Sequence, residues 1–155
     1  MPYNDKMEQR RIIMCRGIQG SGKSTWAKNW ALEDPEHRIR YNNDDIRNML
    51  GQYWVPSRED VVASAKSSIL NTAMVNGYDI VIDNMNLNVR DHENMRIMIA
   101  NYERGWHQYK YVIEFQDFPT PVEECIRRDS LRPNPIGEEV IRNTYNKYKE
   151  YYEWL

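Results

Sequence analysis

Gly17-Ile18-Gln19-Gly20-Ser21-Gly22-Lys23-Ser24 decides the fold of this 155-residue chain. The stretch fits G-x-x-x-x-G-K-S/T at every fixed position. Ile12-Ile13-Met14-Cys15 before it reads as a buried strand, and Thr25-Trp26-Ala27-Lys28-Asn29-Trp30-Ala31-Leu32 after it as a helix. That setting is what the chemistry requires. Gly17, Gly20 and Gly22 let the backbone turn tightly and bring its N–H groups against phosphate oxygens. The following helix offers free N–H groups and a partial positive charge to the same anion. Lys23 can reach β- and γ-phosphates, and the Ser24 hydroxyl can ligate Mg²⁺. Gln19, Ser21 and Thr25 complete the phosphate-binding set. The bland alternative is a chance glycine turn before a helix; fixed residues with a strand before and a helix after argue against it.

The remaining composition narrows the class. The length suits one domain, residues 1–155, with a real core. A net charge of −2 means that any polynucleotide contact must come from a local patch. The two cysteines, Cys15 and Cys125, have no metal or redox spacing and read as buried reduced thiols. No apolar run approaches the ~18 residues of a membrane helix. Met1-Pro2-Tyr3-Asn4-Asp5-Lys6 has no apolar signal region, so the cytoplasm is the expected compartment.

In chain order, residues 1–10 read as a loose polar lead-in and Arg11 to Arg16 as the first strand. Ser24 to Leu32 reads as a helix, with Trp26 and Trp30 as core. His37 to Asn42 reads as an exposed strand delivering Asn42-Asn43-Asp44-Asp45-Ile46-Arg47 to the ligand edge of the sheet. Asp44 and Arg47 share a face on a helical turn. Asn43 or Asp44 could equally be a helix N-cap, the stronger reading when that segment is taken alone. Glu59 to Asn76 has helical spacing. Asp79 to Asp83 is a β-branched strand ending in a carboxylate, with Asp83 a candidate for Mg²⁺ through water. The loop Asn84-Met85-Asn86-Leu87-Asn88 is either turn chemistry or substrate contact, with Asn84 and Asn86 the candidate acceptor contacts. Arg90 to Glu103 is a helix and His107 to Gln116 a strand. Val122 to Leu131 begins a basic helix, and Glu138 to Tyr152 forms a last helix with a docking face of tyrosines. Arg128 and Arg132 are i and i+4, so they are expected to point the same way beside a Pro/Gly loop. A lid over about residues 127–137 follows, against the alternative of a solvated basic surface.

Strands alternating with helices predict a P-loop NTPase-type three-layer α/β/α domain with a central parallel sheet. A motor or switch GTPase would be larger or carry guanine-reading motifs, and no Asn-Lys-x-Asp is present.

Four motifs in this order, the glycine loop, Asn43-Asp44-Asp45-x-Arg47, Asp83-Asn84-Met85-Asn86-Leu87-Asn88 and Arg128-x-x-x-Arg132, resemble the 5′-kinase domain of phage-type polynucleotide kinase over nearly all of residues 11–152. The resemblance implies transfer of the ATP γ-phosphate to a 5′-hydroxyl end of DNA or RNA, in nucleic-acid repair, with Mg²⁺. For a bacteriophage protein the compartment would be the host cytoplasm. It implies Lys23 and Ser24 on phosphate and metal, Asp44 as general base, Arg47 on the acceptor's 3′-phosphate, and Arg128 and Arg132 as lid clamps. Asn43 stands where the family commonly has arginine, and Met85 where it has threonine. There is no Asp-x-Asp-x-Thr phosphatase motif, so a kinase alone, or a kinase piece of something longer, is expected. A homo-oligomer is compatible with these readings. The rival expectation is a P-loop kinase of the same build acting on a nucleoside, nucleotide or sugar acid.

Overall fold

The computed structural model describes residues 7–153. Four parallel strands, β1 (Gln9–Arg16), β2 (Arg38–Tyr41), β3 (Asp79–Ile82) and β4 (Lys110–Asp117), form one sheet in the order β2-β3-β1-β4. The helices are α1 (Lys23–Glu33), α2 (Asn43–Met49), α3 (Glu59–Val75), α4 (Val89–Glu103), α5 (Val122–Ser130) and α6 (Glu138–Glu153), and a 3-10 turn, Pro56–Arg58, precedes α3. This is the expected P-loop-type three-layer α/β fold.

Parallel strands covered on both faces need near-continuous apolar runs. Ile12 to Cys15 and Ile80 to Ile82 supply them, all buried. Side chains alternate between faces along a strand. Ile12, Met14, Ile80 and Ile82 therefore pack under α3 and α4 against Leu70, Met74, Met95 and Ile99. Ile13, Cys15 and Val81 face α1 through Ala27 and Trp30. The Trp26 and Trp30 rings stack at 6.3 Å, as core rather than as a ligand platform. A third cluster, Ile18, Leu87, Cys125, Ile141 and Tyr152, holds α5 and α6 against the glycine loop. Tyr152 donates its hydroxyl hydrogen bond to the Phe118 carbonyl at 2.9 Å, so the tyrosine face of α6 docks as expected.

Most element ends differ from expectation by a residue, and three differences matter for pairing or for the site. Gln9 and Arg10 belong to β1, pairing with Lys110 and Tyr111; Met1 to Lys6 of the expected lead-in lie outside the described residues. β4 starts at Lys110 rather than His107. Helix α5 ends at Ser130, so Arg132 lies beyond it, past a Leu131 cap. Both cysteines are free and buried, and burial pushes the Cys15 thiol up to about 12. Among the described residues no helix is long and apolar enough to cross a membrane.

Candidate active site

The carboxyl ends of β1, β2 and β3 deliver the glycine loop, the start of α2 and the segment Asp83 to Asn88 to one edge of the sheet. A cavity of about 340 Å³ opens there. Gln19 to Thr25 line it, with Asp44, Arg47, Asp83, Asn84, Asn86 and Arg132. Every predicted site residue except Gly17 and Arg128 is thus on one wall or another. Gly17 instead lets the loop close on itself: a Cβ there would sit 2.6 Å from the Ser21 Oγ. Arg128 is half-exposed on α5, with its Nε on Glu124 at 3.1 Å and its Nη1 3.4 Å from where a Gly22 side chain would begin.

The glycine loop is built as its sequence requires. Gly20 has φ +79°, and a Cβ on it would lie 2.5 Å from the Cys125 carbonyl oxygen, so the loop packs directly on α5 backbone. Gly22 caps α1 with φ +103°. Lys23 is buried, its Nζ donating to the Ile18 carbonyl at 2.7 Å. Burial pulls its pKa down to about 8, against the opposing pull of Asp83. The Gln19 side-chain amide donates to Thr144 at 3.1 Å, tying the loop to α6.

Asp83 is almost wholly buried. Its Oδ2 accepts from Arg40 Nε at 2.8 Å and Nη2 at 2.7 Å, while its Oδ1 has no hydrogen-bond partner. An unpartnered buried carboxylate oxygen in the cavity that holds Ser24 fits a divalent cation, and Mg²⁺ keeps waters and takes few protein ligands. Among the described residues no cluster of three His, Cys, Asp or Glu side chains offers a protein-only cage.

The N-cap of α2 is Asn42, not Asn43 or Asp44: its side chain accepts from the Asp45 N–H at 2.9 Å. The capping alternative for Asp44 therefore falls. Asp45 pairs with Arg40 at 2.6 Å, and the same guanidinium holds Asp83. Asp44 is oriented differently. Its Oδ1 accepts from Arg47 Nη1 at 2.7 Å and from the Tyr53 hydroxyl at 2.9 Å. Its Oδ2 accepts nothing among the described residues. Arg47 also donates Nε and Nη2 to Glu59, at 3.1 and 2.6 Å, so two of its five N–H groups stay available. The Glu59 hydrogen bonds, with Asp44, hold its pKa above the usual guanidinium range.

Arg132 and Arg128 do not share a helix face. Arg132 sits on the Leu131–Gly137 loop, and among the described residues its guanidinium makes no ion pair. The loop is pinned by the buried Asp129 carboxylate, which accepts from the Ile136 N–H at 3.0 Å and the Gly137 N–H at 2.9 Å. Asn86 has φ +52° and sends its amide nitrogen to the Cys15 carbonyl at 2.8 Å and the Ile82 carbonyl at 3.1 Å, stitching β1 to β3. Asn84 Oδ1 accepts from the Asn43 N–H at 3.0 Å.

One cation was missed in the sequence. Lys66 of α3 lines this cavity and also a neighbouring cleft of about 590 Å³ between α3 and α4. Asn43 and Arg47 are shared by both. Burial lowers the Lys66 pKa, with Asp91 opposing. The signal was faint: one lysine between Ala65 and Ile69 on an otherwise apolar helical stripe.

The profile of the family described as AAA domain matches residues 12–155. The chain belongs to that family. This AAA-domain protein is also similar to an L-seryl-tRNA(Sec) kinase of Methanococcus maripaludis, 23% identical over 140 residues, covering 88% of this chain and 52% of the relative. It is similar to a putative bifunctional polynucleotide kinase/RNA ligase of Autographa californica nuclear polyhedrosis virus, 24% identical over 157 residues, covering 90% of this chain and 21% of the relative. Among solved structures, a chain of the Pnkp1/Rnl/Hen1 RNA repair complex superposes with TM-score 0.78 and 23% identity, over 98% of this chain and 48% of that one. The AAA-domain chain thus spans about half the length, or less, of these three proteins.

Proposed function

We propose that this chain is an ATP-dependent kinase that phosphorylates 5′-hydroxyl ends of DNA or RNA. The observation that carries the reading is Asp44. One oxygen is fixed by Arg47 and Tyr53, the other is open, and the cavity is the one that holds the glycine loop. A carboxylate placed so can orient a hydroxyl and accept its proton. The 5′-oxygen then bonds to the γ-phosphorus as the bond from that phosphorus to the β–γ bridging oxygen breaks, and ADP leaves with that electron pair. Lys23 and the loop N–H groups hold the β- and γ-phosphates, and Arg132 balances charge on the transferring group. Bound Mg²⁺, held by Ser24 with Asp83 through water, would supply further neutralisation of phosphate charge. Residues 131–137 act as the lid of this single kinase domain, with Arg128 at its base. Arg47, helped by Lys66, holds the acceptor's 3′-phosphate. The likenesses to a polynucleotide kinase/RNA ligase and to an RNA repair complex support this acceptor class.

The test is labelled-phosphate transfer from ATP to 5′-hydroxyl DNA and RNA oligomers, beside free nucleosides and sugar acids. Transfer to the oligomers is expected. Transfer to the small acceptors alone would overturn the polynucleotide reading, and transfer to none would overturn the kinase.

A further inference from the structure

The segment between α2 and the 3-10 turn, Leu50 to Val55, carries two adjacent aromatic residues that the core does not use. Tyr53 is 48% exposed and Trp54 is 53% exposed. Leaving an indole and a phenol ring in water forgoes the apolar area they would otherwise bury. Both rings instead touch the residues assigned to the acceptor. The Tyr53 hydroxyl donates to Asp44 Oδ1 at 2.9 Å. The Arg47 guanidinium lies over the Trp54 ring, 5.6 Å from its centroid.

The segment is also held in place. The Arg58 guanidinium donates to the carbonyls of Leu50 at 3.3 Å, Arg47 at 3.4 Å and Tyr53 at 3.5 Å, and to that of Gln52. One side chain thus gathers four carbonyls, and the aromatic pair stands on a braced loop. Among the described residues, the other strongly exposed tryptophan, Trp106 at 90%, sits on the α4–β4 connection, at the opposite edge of the sheet. Among the described residues, Tyr53 and Trp54 are the exposed aromatic residues in contact with Asp44 and Arg47.

We infer that Trp54, braced beside Tyr53, is a stacking platform for the nucleobase of the acceptor's 5′-terminal nucleotide; this rests on the polynucleotide-kinase reading. The reacting hydroxyl belongs to Asp44 and the adjoining phosphate to Arg47. The base of the same nucleotide must then lie on the rim next to both, where Trp54 stands. Every base has a π-face, so such a platform tolerates sequence while favouring a nucleotide over a sugar acid. The Arg47 cation on one part of the ring leaves the outer face for the base and keeps the indole from rotating away.

The experiment compares wild type, Trp54→Ala and Trp54→Phe on two acceptors: a 5′-hydroxyl oligonucleotide, and the same oligonucleotide with its terminal base removed. For the intact acceptor, Trp54→Ala should raise KM about tenfold, within the range that stacking on one base supplies, with kcat and the KM for ATP nearly unchanged. Trp54→Phe should recover most of that loss. On the abasic acceptor the wild type should already be as weak as Trp54→Ala, and the substitution should cost nothing more. Thermal melting should not change, because the ring is half in water. An equal loss on both acceptors, or no loss on either, overturns the platform while leaving the kinase standing. Absence of any oligonucleotide phosphorylation by the wild type overturns the parent reading and this one together.

Discussion

Raising the pH should weaken ATP binding through one lysine. Lys23 is 8% exposed and donates to the Ile18 carbonyl at 2.7 Å. Burial brings its pKa down to about 8 in the free protein. Near neutrality it is mostly charged; above pH 8 the free protein gives the proton up. A bound triphosphate places negative charge against the ammonium and holds it protonated. Binding above pH 8 must therefore take up a proton, and affinity falls about tenfold for each further pH unit. ATP should bind about tenfold more weakly near pH 9 than near neutrality, and about a hundredfold more weakly near pH 10. Lys23→Arg removes the titration because a guanidinium stays charged throughout. Its affinity should be lower at neutrality, since the fork does not fit the loop, but flat with pH. Titration calorimetry with ATP across this range is the assay. Constant wild-type affinity up to pH 10, or the same slope in Lys23→Arg, would refute the placement of the ammonium on the phosphates.

Other substitutions separate neighbouring roles. Asp44→Asn should lower kcat about 10²- to 10⁴-fold with ATP affinity intact, whereas Asp45→Asn should cost less than about tenfold, read from transfer rates and calorimetry. If Asp45→Asn is the inactive one, the base is misassigned. Arg132→Lys keeps charge but loses the planar fork, and single-turnover transfer should fall about 10²-fold or more. Full rate in that variant would mean that a point charge suffices. Gly20→Ala forces a Cβ to 2.5 Å from the Cys125 carbonyl at positive φ. The left-handed backbone costs ~1–2 kcal/mol and the clash ~1–3 kcal/mol, so Tm should drop by about 5–15 °C. An unchanged melting curve would show that α5 is not seated on the loop.

What could be read in the sequence was what repeats or punctuates. The glycine loop, the buried runs of β1 and β3 and the helical stripe of α3 each have a local pattern, and each lies where that pattern sets it. The errors arose where a tertiary partner decides. Gln9 and Arg10 became strand because β4 runs alongside them. The reading of Arg128 and Arg132 as one helix face failed because α5 stops at Ser130, where the chain turns to meet Asp129. Spacing alone carries no record of that stop. Asn42 was overlooked as the cap in favour of its two successors, since Asn-Asn-Asp-Asp offers four residues with capping chemistry. Lys66 and Tyr53 lie in segments whose pattern only says helix or loop; what brings them to the site is the packing of α3 beside α2.

The Asn42 cap has a consequence for how insertions would behave here. Asp44 and Asp45 are chemically alike and adjacent, yet one faces the open cavity and the other is tied to Arg40. What tells them apart is the angular index of α2, which starts where Asn42 grips the Asp45 N–H. Successive residues on a helix are about 100° apart, so one extra residue within the Asn42–Asp44 junction would turn the helix by that angle. Asp44's carboxylate would then swing into the direction that Asp45 now takes, toward Arg40, and Asp45 would move on to that of Ile46. The acceptor side would be left without a carboxylate although none had been removed, and a sequence that still contained Asn, Asp, Asp and Arg in order would have its base on the wrong spoke.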